Sequence, residues 1–220
     1  MKNYTVDIPK KWDYENGFYL TSETSRIGKL LNHLEIYKKI IHLPGDILEF
    51  GVYKGASIVR LLSFRDLLES ENSRKVVGFD IFGKFPDTLE LESDKQFVER
   101  FENAGGYGIS KEELSMHLNN KGFKNYDLIK GDILETIPEF IAQNPAKKIS
   151  LLHIDVDVYE PTKLILESLW DKVVKGGILM LDDYGTVEGE TRAVDEFFAG
   201  QNIVIHKPTF NHIPSYIIKE

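Results

Sequence analysis

The stretch KISLLHIDVDVYEPTKLILESLWDKVVKGGILMLDDY, residues Lys148–Tyr184, decides how the rest of the chain is read. Lys148–Ile154 is an apolar run of strand length. Pro161–Val174 spaces its apolar residues for a helix, and Gly177–Leu181 is apolar again after a Gly-Gly stop. Strand, helix, strand is the unit of a parallel sheet, because parallel neighbours need a crossover between them. Both apolar runs close on carboxylates, Asp155 and Asp157 after the first, Asp182 and Asp183 after the second. Ligands of open parallel sheets bind beyond the carboxyl ends of the strands, so these four groups are expected beside one pocket. Uncompensated, they would repel one another and lose hydration, and a hard divalent cation such as Mg²⁺ is the simplest compensation. Residues two apart on an extended segment face the same way, which aims Asp155 and Asp157 together. Asp182 and Asp183 are adjacent and can serve one site only if the chain turns there. His153 reads as a packed strand residue, and Trp170, Phe197 and Phe198 as core.

The alternation continues outward in both directions. Upstream, Ser25–Ile41 is a helix stopped by Pro44 and Gly45. Asp46–Phe50 is a strand, Ile58–Leu68 an amphipathic helix and Lys75–Phe82 a second strand. Phe97–Asn103 and Ser110–Gly122 are helical, the latter with Ser110 as N-cap. Asp127–Lys130 is a third strand, and GDILETIPEFI is a loop entering a helix. Downstream, Thr191–Phe198 is a helix, and Ile203–His206 and Ser215–Lys219 are strands joined by too short a connection for a crossover, so they are antiparallel. The expected architecture is α/β, a doubly wound, mostly parallel sheet of seven strands with an antiparallel strand at the C-terminus. Residues 1–24, with Trp12, Tyr14, Phe18 and Tyr19 and no clear period, are expected to form an arm or lid, and residues 25–220 one domain.

With 220 residues, 42% of them hydrophobic, the chain suits a single core. A net charge of −8 argues against nonspecific nucleic-acid binding. The absence of cysteine excludes disulfides, zinc thiolates and thiol catalysis. No segment has the length of a membrane span or the pattern of a signal peptide, and a cytoplasmic protein without a membrane partner is expected.

The cofactor half of the site begins at EFGVYKGAS, Glu49–Ser57, where the first strand enters the first helix. Gly51 and Gly55 let the backbone turn and approach a ligand, with Glu49, Tyr53 and Ser57 beside them. The segment lacks the GxGxxG spacing of nicotinamide and flavin enzymes. Asp80, ending the second strand, could accept from both hydroxyls of a ribose, and Asp132 with Ile133, after the third, could hold an adenine. Each also has a plain reading as a turn or N-cap group. Tyr53, Lys54 and the FGKFPDT loop (Phe82–Thr88) are candidates for acceptor contacts.

The order of these segments is similar to that of S-adenosylmethionine-dependent methyltransferases of the Rossmann-like type. HIDVDVYEPT, GGILMLDDYG and TRAVDEFF together resemble the macrocin O-methyltransferase family, which includes the mycinamicin and novobiocin sugar methyltransferases. The resemblance runs from about Ser25 to the C-terminus. It implies S-adenosyl-L-methionine as methyl donor, held by Glu49, Gly51, Tyr53, Gly55, Ser57, Asp80, Asp132, Ile133 and Asp155. It also implies Mg²⁺ on Asp155, Asp182 and Asp183, and Asp157 as general base. The acceptor would be a hydroxylated small molecule, foremost a sugar in a glycoside or nucleotide-activated form, from natural-product or polysaccharide biosynthesis. A catechol or phenol acceptor, a nucleotide-sugar oxidoreductase or epimerase, and a non-catalytic binding domain are the competing readings. A homodimer is compatible with the aromatic N-terminal segment.

Overall fold

The computed structural model describes residues 6–86 and 89–220. Seven strands form one sheet in the order β3-β2-β1-β4-β5-β7-β6. β1 (Asp46–Phe50), β2 (Val76–Asp80), β3 (Tyr126–Lys130), β4 (Ile149–Ile154) and β5 (Val173–Leu181) are parallel. β7 (Ser215–Ile218) runs antiparallel to β5 on one side and to β6 (Ile205–His206) on the other. The doubly wound sheet with a reversed C-terminal strand is therefore the observed fold. The strand order reverses at β1 and β4, which places the switch point where ligands bind in such sheets.

Side chains alternate between two cores. Ile47, Leu151, Ile178 and Met180 face one layer with α2 (Thr24–Ile40), α3 (Ala56–Leu68) and α5 (Lys111–Asn120). Leu48, Phe50, Leu152, Ile154, Leu179 and Leu181 face the other, with α6 (Ile133–Gln143), α7 (Tyr159–Leu169) and α8 (Glu188–Phe197). Strands buried on both faces read as continuous apolar runs, which is why β4 and β5 are so plain in the sequence. α4 (Glu92–Gly105) packs near α8. Ser110 is the N-cap of α5, its hydroxyl accepting the Glu113 N–H at 3.2 Å.

Several boundaries differ from the sequence reading. α7 ends at Leu169, a 3-10 turn spans Trp170–Lys172, and β5 begins at Val173 rather than Gly177, with Gly176 and Gly177 inside it. Gly176 survives there because the segment forms the outer end of the strand, bonded through its N–H to Lys219 at 2.7 Å. The N-terminal segment, which shows no clear period in the sequence, carries a helix, α1 (Lys11–Thr21), none of whose residues is buried. Trp12 is 63% and Leu20 84% exposed. A helix that presents no apolar stripe gives no periodic signal. Residues 1–5 of the expected arm lie outside the described residues.

Gly51 occupies the tightest point of the switch. It has φ +87°, and a Cβ there would stand 1.7 Å from the Asp155 carbonyl oxygen. The close approach that glycine permits is thus between the ends of β1 and β4, fixed also by the Asp155 N–H donating to the Phe50 carbonyl at 2.8 Å. Gly51→Ala is expected to destabilise the fold by more than about 3 kcal/mol, since neither backbone can retreat and the φ is unfavourable for alanine. Urea denaturation would check this; a variant within 1 kcal/mol (roughly) of the parent would refute the packing argument.

Candidate functional site

A cavity of about 540 Å³ opens at the carboxyl ends of β1, β2, β4 and β5. Its lining includes Gly51, Tyr53, Ser57, Asp80, Asp132, Ile133, Asp155, Asp157, Asp182 and Asp183. That volume is within the usual range for small-molecule sites. Phe85, Phe97 and Phe101 add an apolar wall. Of the FGKFPDT loop, Gly83, Phe85 and Pro86 line the cavity, while Asp87 and Thr88 lie outside the described residues.

The loop between β1 and α3 is held by Asp80. Its Oδ2 accepts the N–H groups of Val52 at 2.7 Å and Tyr53 at 2.8 Å, and its Oδ1 accepts that of Phe82 at 2.5 Å. Burial pushes the Asp80 pKa up against these three bonds. The carboxylate has about four acceptor positions, so bracing the loop leaves little of it for a ribose. Asp132 is the N-cap of α6, accepting the Leu134 N–H at 2.9 Å through Oδ1 while still facing the cavity. Gly55 lies behind the lining as the N-cap of α3, with φ +84° and Leu114 against it. Tyr53 turns its hydroxyl to the Gly105 carbonyl at 2.5 Å, and the Lys54 ammonium reaches the same oxygen at 2.6 Å.

Glu49 departs from expectation. It is fully buried, lies outside the cavity lining, and faces His153 Nδ1 at 3.4 Å. The pleat explains this: Glu49 shares the β1 face of Ile47, which looks into the layer under α2.

At the other end of the cavity the four aspartates converge. The chain leaves β5 at Leu181 and bends through Asp182 and Asp183, which supplies the required turn. Oxygens of Asp155, Asp182 and Asp183 come within 4.8 Å of one another. The extended geometry expected for Asp155 and Asp157 does not hold, because β4 ends at Ile154 and Asp157 has φ +66°. Its backbone carbonyl instead accepts the Glu190 N–H at 3.2 Å, and both aspartates still reach the cavity. Neither Asp157 nor Asp183 caps the helix that follows it: α7 and α8 have Val158 and Val187 as N-caps. Asp94 from α4 accepts the Tyr159 N–H at 2.8 Å in place of Asp157.

Charge compensation comes from Lys29, His33 and His153, of which the sequence reading weighs only His153, as a packed strand residue. The Lys29 ammonium, from α2, bonds Asp182 Oδ2. Burial opposes ionisation of Asp182, but His153, His33 and Lys29 outweigh it and hold this carboxyl well below the usual range. His153 is raised to about 10, burial being overcome by Asp182 and Glu49, so it is an imidazolium between two carboxylates. His33 is lowered to about 4, chiefly by burial, and is neutral. Burial and repulsion from Asp155 raise Asp157 to about 7, and burial with repulsion from Asp157 and Asp182 raises Asp183 to about 8. Burial and Asp183 push the fully buried Glu190 well up, and its Oε1 accepts the Asp183 N–H at 3.0 Å. A hydrophilic residue inside an amphipathic helix gives no sign in sequence that it will face a buried site.

The donor set fits a hard divalent cation. Asp155, Asp182 and Asp183 offer oxygens only, and these lie within 4.8 Å of one another. The elevated pKa values of Asp155 and Asp183 are those of ligands that a nearby cation would ionise.

Comparison with known proteins places this geometry. The profile of the macrocin-O-methyltransferase (TylF) family matches residues 23–213. Demethyldecarbamoylnovobiocin O-methyltransferase of Streptomyces niveus is 30% identical over 186 residues, covering 79% of this chain and 66% of that protein. The solved O-methyltransferase NovP is 26% identical with a TM-score of 0.73, over 88% of this chain and 80% of the other. A TDP-rhamnose 3'-O-methyltransferase of calicheamicin biosynthesis is 25% identical with a TM-score of 0.69, over 94% and 86%. The chain spans between about half and two-thirds of the length of the curated relatives it matches.

The His153 imidazolium has a measurable signature. With its pKa raised from 6.5 to about 10, its stabilisation is complete below pH 6.5 and is lost as pH rises through about 10. Denaturation midpoints of the parent should fall across that window. His153→Gln, which removes the cation facing Glu49 and leaves Asp182 to Lys29 alone, should be less stable at pH 6 by about 3 kcal/mol and should lack that part of the decline. Parallel pH profiles for the two proteins would refute the charged assignment.

Proposed function

The chain belongs to the macrocin O-methyltransferase family, and on that premise we propose that it transfers the methyl group of S-adenosyl-L-methionine to a hydroxyl of a sugar-bearing small molecule, with Mg²⁺ or a similar cation at the carboxylate cluster. Residues 25–220 would be the catalytic domain and residues 1–24 an arm beside it. The observation that carries the reading is one cavity with a braced glycine loop at one end and Asp155, Asp157, Asp182 and Asp183 at the other.

Gly51, Tyr53 and Ser57 would hold the donor, with Asp80 bracing the loop and Ile133 offering apolar surface to its base. Ionising an aliphatic hydroxyl at pH 7 costs about 12 kcal/mol, if its pKa resembles that of water. A positioned base contributes roughly 3 to 5 kcal/mol of this. Asp157 is that base: a pKa of about 7 suits proton removal at neutral pH, and its strained backbone turns the carboxyl into the cavity. A divalent cation held by Asp155, Asp182 and Asp183 would supply Lewis-acid stabilisation of the developing negative charge. Lys29 and His153 hold Asp182 ionised and in place for that role.

Incubating the protein with S-adenosyl-L-methionine, Mg²⁺ and a panel of deoxysugar glycosides, nucleotide sugars and catechols should yield S-adenosylhomocysteine with a sugar acceptor. Chelation should abolish turnover. Asp157→Asn should lower kcat by about 10² to 10⁴-fold with little change in donor affinity. Absence of donor binding by calorimetry would overturn the reading. Turnover unaffected by chelator would remove the cation from it, and exclusive turnover of catechols would remove the sugar.

A further inference from the structure

The chain has six arginines. Four are committed within the protein: Arg65 donates to the carbonyls of Arg74, Lys124 and Asn125, and Arg74 to Glu69, the Ser150 hydroxyl and the carbonyls of Ile40, Ile41, Leu43 and Gly45. Arg100 donates to the Gln96 carbonyl and Arg192 to Glu196. The remaining two, Arg26 and Arg60, make no side-chain hydrogen bond or ion pair among the described residues. Both line the same cavity.

Their placement comes from two different helices. Arg26 stands in the first turn of α2 and is exposed, whereas Arg60 stands in the second turn of α3 and is half-buried. They are near enough for each to act on the other: after burial, the Arg26 charge is the next cause that lowers the Arg60 pKa, against the pull of Asp182, Glu49 and Asp155. Two like charges on a cavity wall, one of them partly desolvated, are a costly arrangement without an anion to share. A guanidinium presents a planar fork of donors that matches a carboxylate or a phosphate in a two-bond contact. The N-terminal turn of α3, with Ala56 and Ser57 also in the lining, adds the positive end of a helix dipole on the same side. Arg26 and Arg60 thus line the same cavity as the carboxylates, and Asp182 and Asp155 act on Arg60 there, yet neither guanidinium makes a hydrogen bond or ion pair among the described residues.

We propose that Arg26 and Arg60 form an anion subsite that takes a carboxylate or phosphate group of a ligand bound in the cavity. The assignment rests on the reading of this cavity as the donor and acceptor site. Two ligands carry such a group, the donor through its α-carboxylate and a nucleotide-activated acceptor through its diphosphate.

Calorimetry on the full chain and on Arg60→Met and Arg26→Gln separates the sources with three probes. These are S-adenosylhomocysteine, 5'-methylthioadenosine (which lacks the amino-acid portion) and inorganic pyrophosphate. Loss of S-adenosylhomocysteine affinity by about tenfold in each variant, with 5'-methylthioadenosine unchanged, assigns the subsite to the donor carboxylate. Unchanged nucleoside binding with pyrophosphate affinity lowered by a similar factor assigns it to the acceptor. If all three probes bind both variants as they bind the parent, the subsite does not exist. Failure of the parent to bind either nucleoside would overturn the donor reading, and the pyrophosphate measurement would then decide the subsite alone. Arg26→Gln alters an exposed side chain, so its result stands even if Arg60→Met fails to fold.

Discussion

Repulsion among the carboxylates at the ends of β4 and β5 is the constraint around which this end of the molecule is built. Asp155, Asp157, Asp182 and Asp183 share one cavity, and Glu190 stands buried behind Asp183. At low local dielectric such groups cannot all ionise without cations nearby. The protein supplies two, the Lys29 ammonium and the His153 imidazolium, both directed at Asp182. The result is graded: Asp182 is firmly ionised, while burial and repulsion from neighbouring aspartates lift Asp157 and Asp183 to about 7 and 8. A base and a set of cation ligands need those differing properties, and one cluster supplies both because Asp182 takes the direct contacts of Lys29 and His153 while burial and mutual repulsion raise the others.

The same constraint explains why α2 matters although it precedes the first strand. It crosses the face of the sheet that carries Glu49, His153 and Met180, and contributes Lys29 and His33 to the carboxylates and Arg26 to the cavity wall. Asn32 ties the helix to the segment between β6 and β7, accepting from Phe210 N–H at 3.1 Å and donating to the carbonyls of Asn211 at 3.0 Å and Ile213 at 2.8 Å. The reversed C-terminal strand and the preceding helix are therefore held as one support. At the donor end support is by backbone: Asp80 fixes three N–H groups of the surrounding loops, and Gly51 lets β1 and β4 meet without a side chain between them.

Much of this was legible in the chain. The βαβ alternation, the reversed final strand and the aspartates after β4 and β5 follow from local apolar period and from connection length, and the capping role of Ser110 follows from its neighbours. Glu49 was misplaced because a one-residue step on a strand changes the face, and only pairing with β2 and β4 fixes which layer each face meets. Asp80 and Asp132 carry double duty that no spacing reveals. Lys29, His33, Arg26 and Arg60 passed unnoticed because α2 and α3 read as ordinary helices before their partners across the sheet are known.

The sequence by itself determined the order of elements and the chemical types gathered at the strand ends, because both are written in residues close together along the chain. Tertiary structure decided which carboxylate is charged, which is held near neutrality and which arginines are left without a partner. Those properties depend on burial and on charges from α2, α3 and α8, brought within a few ångströms of strands far away in sequence.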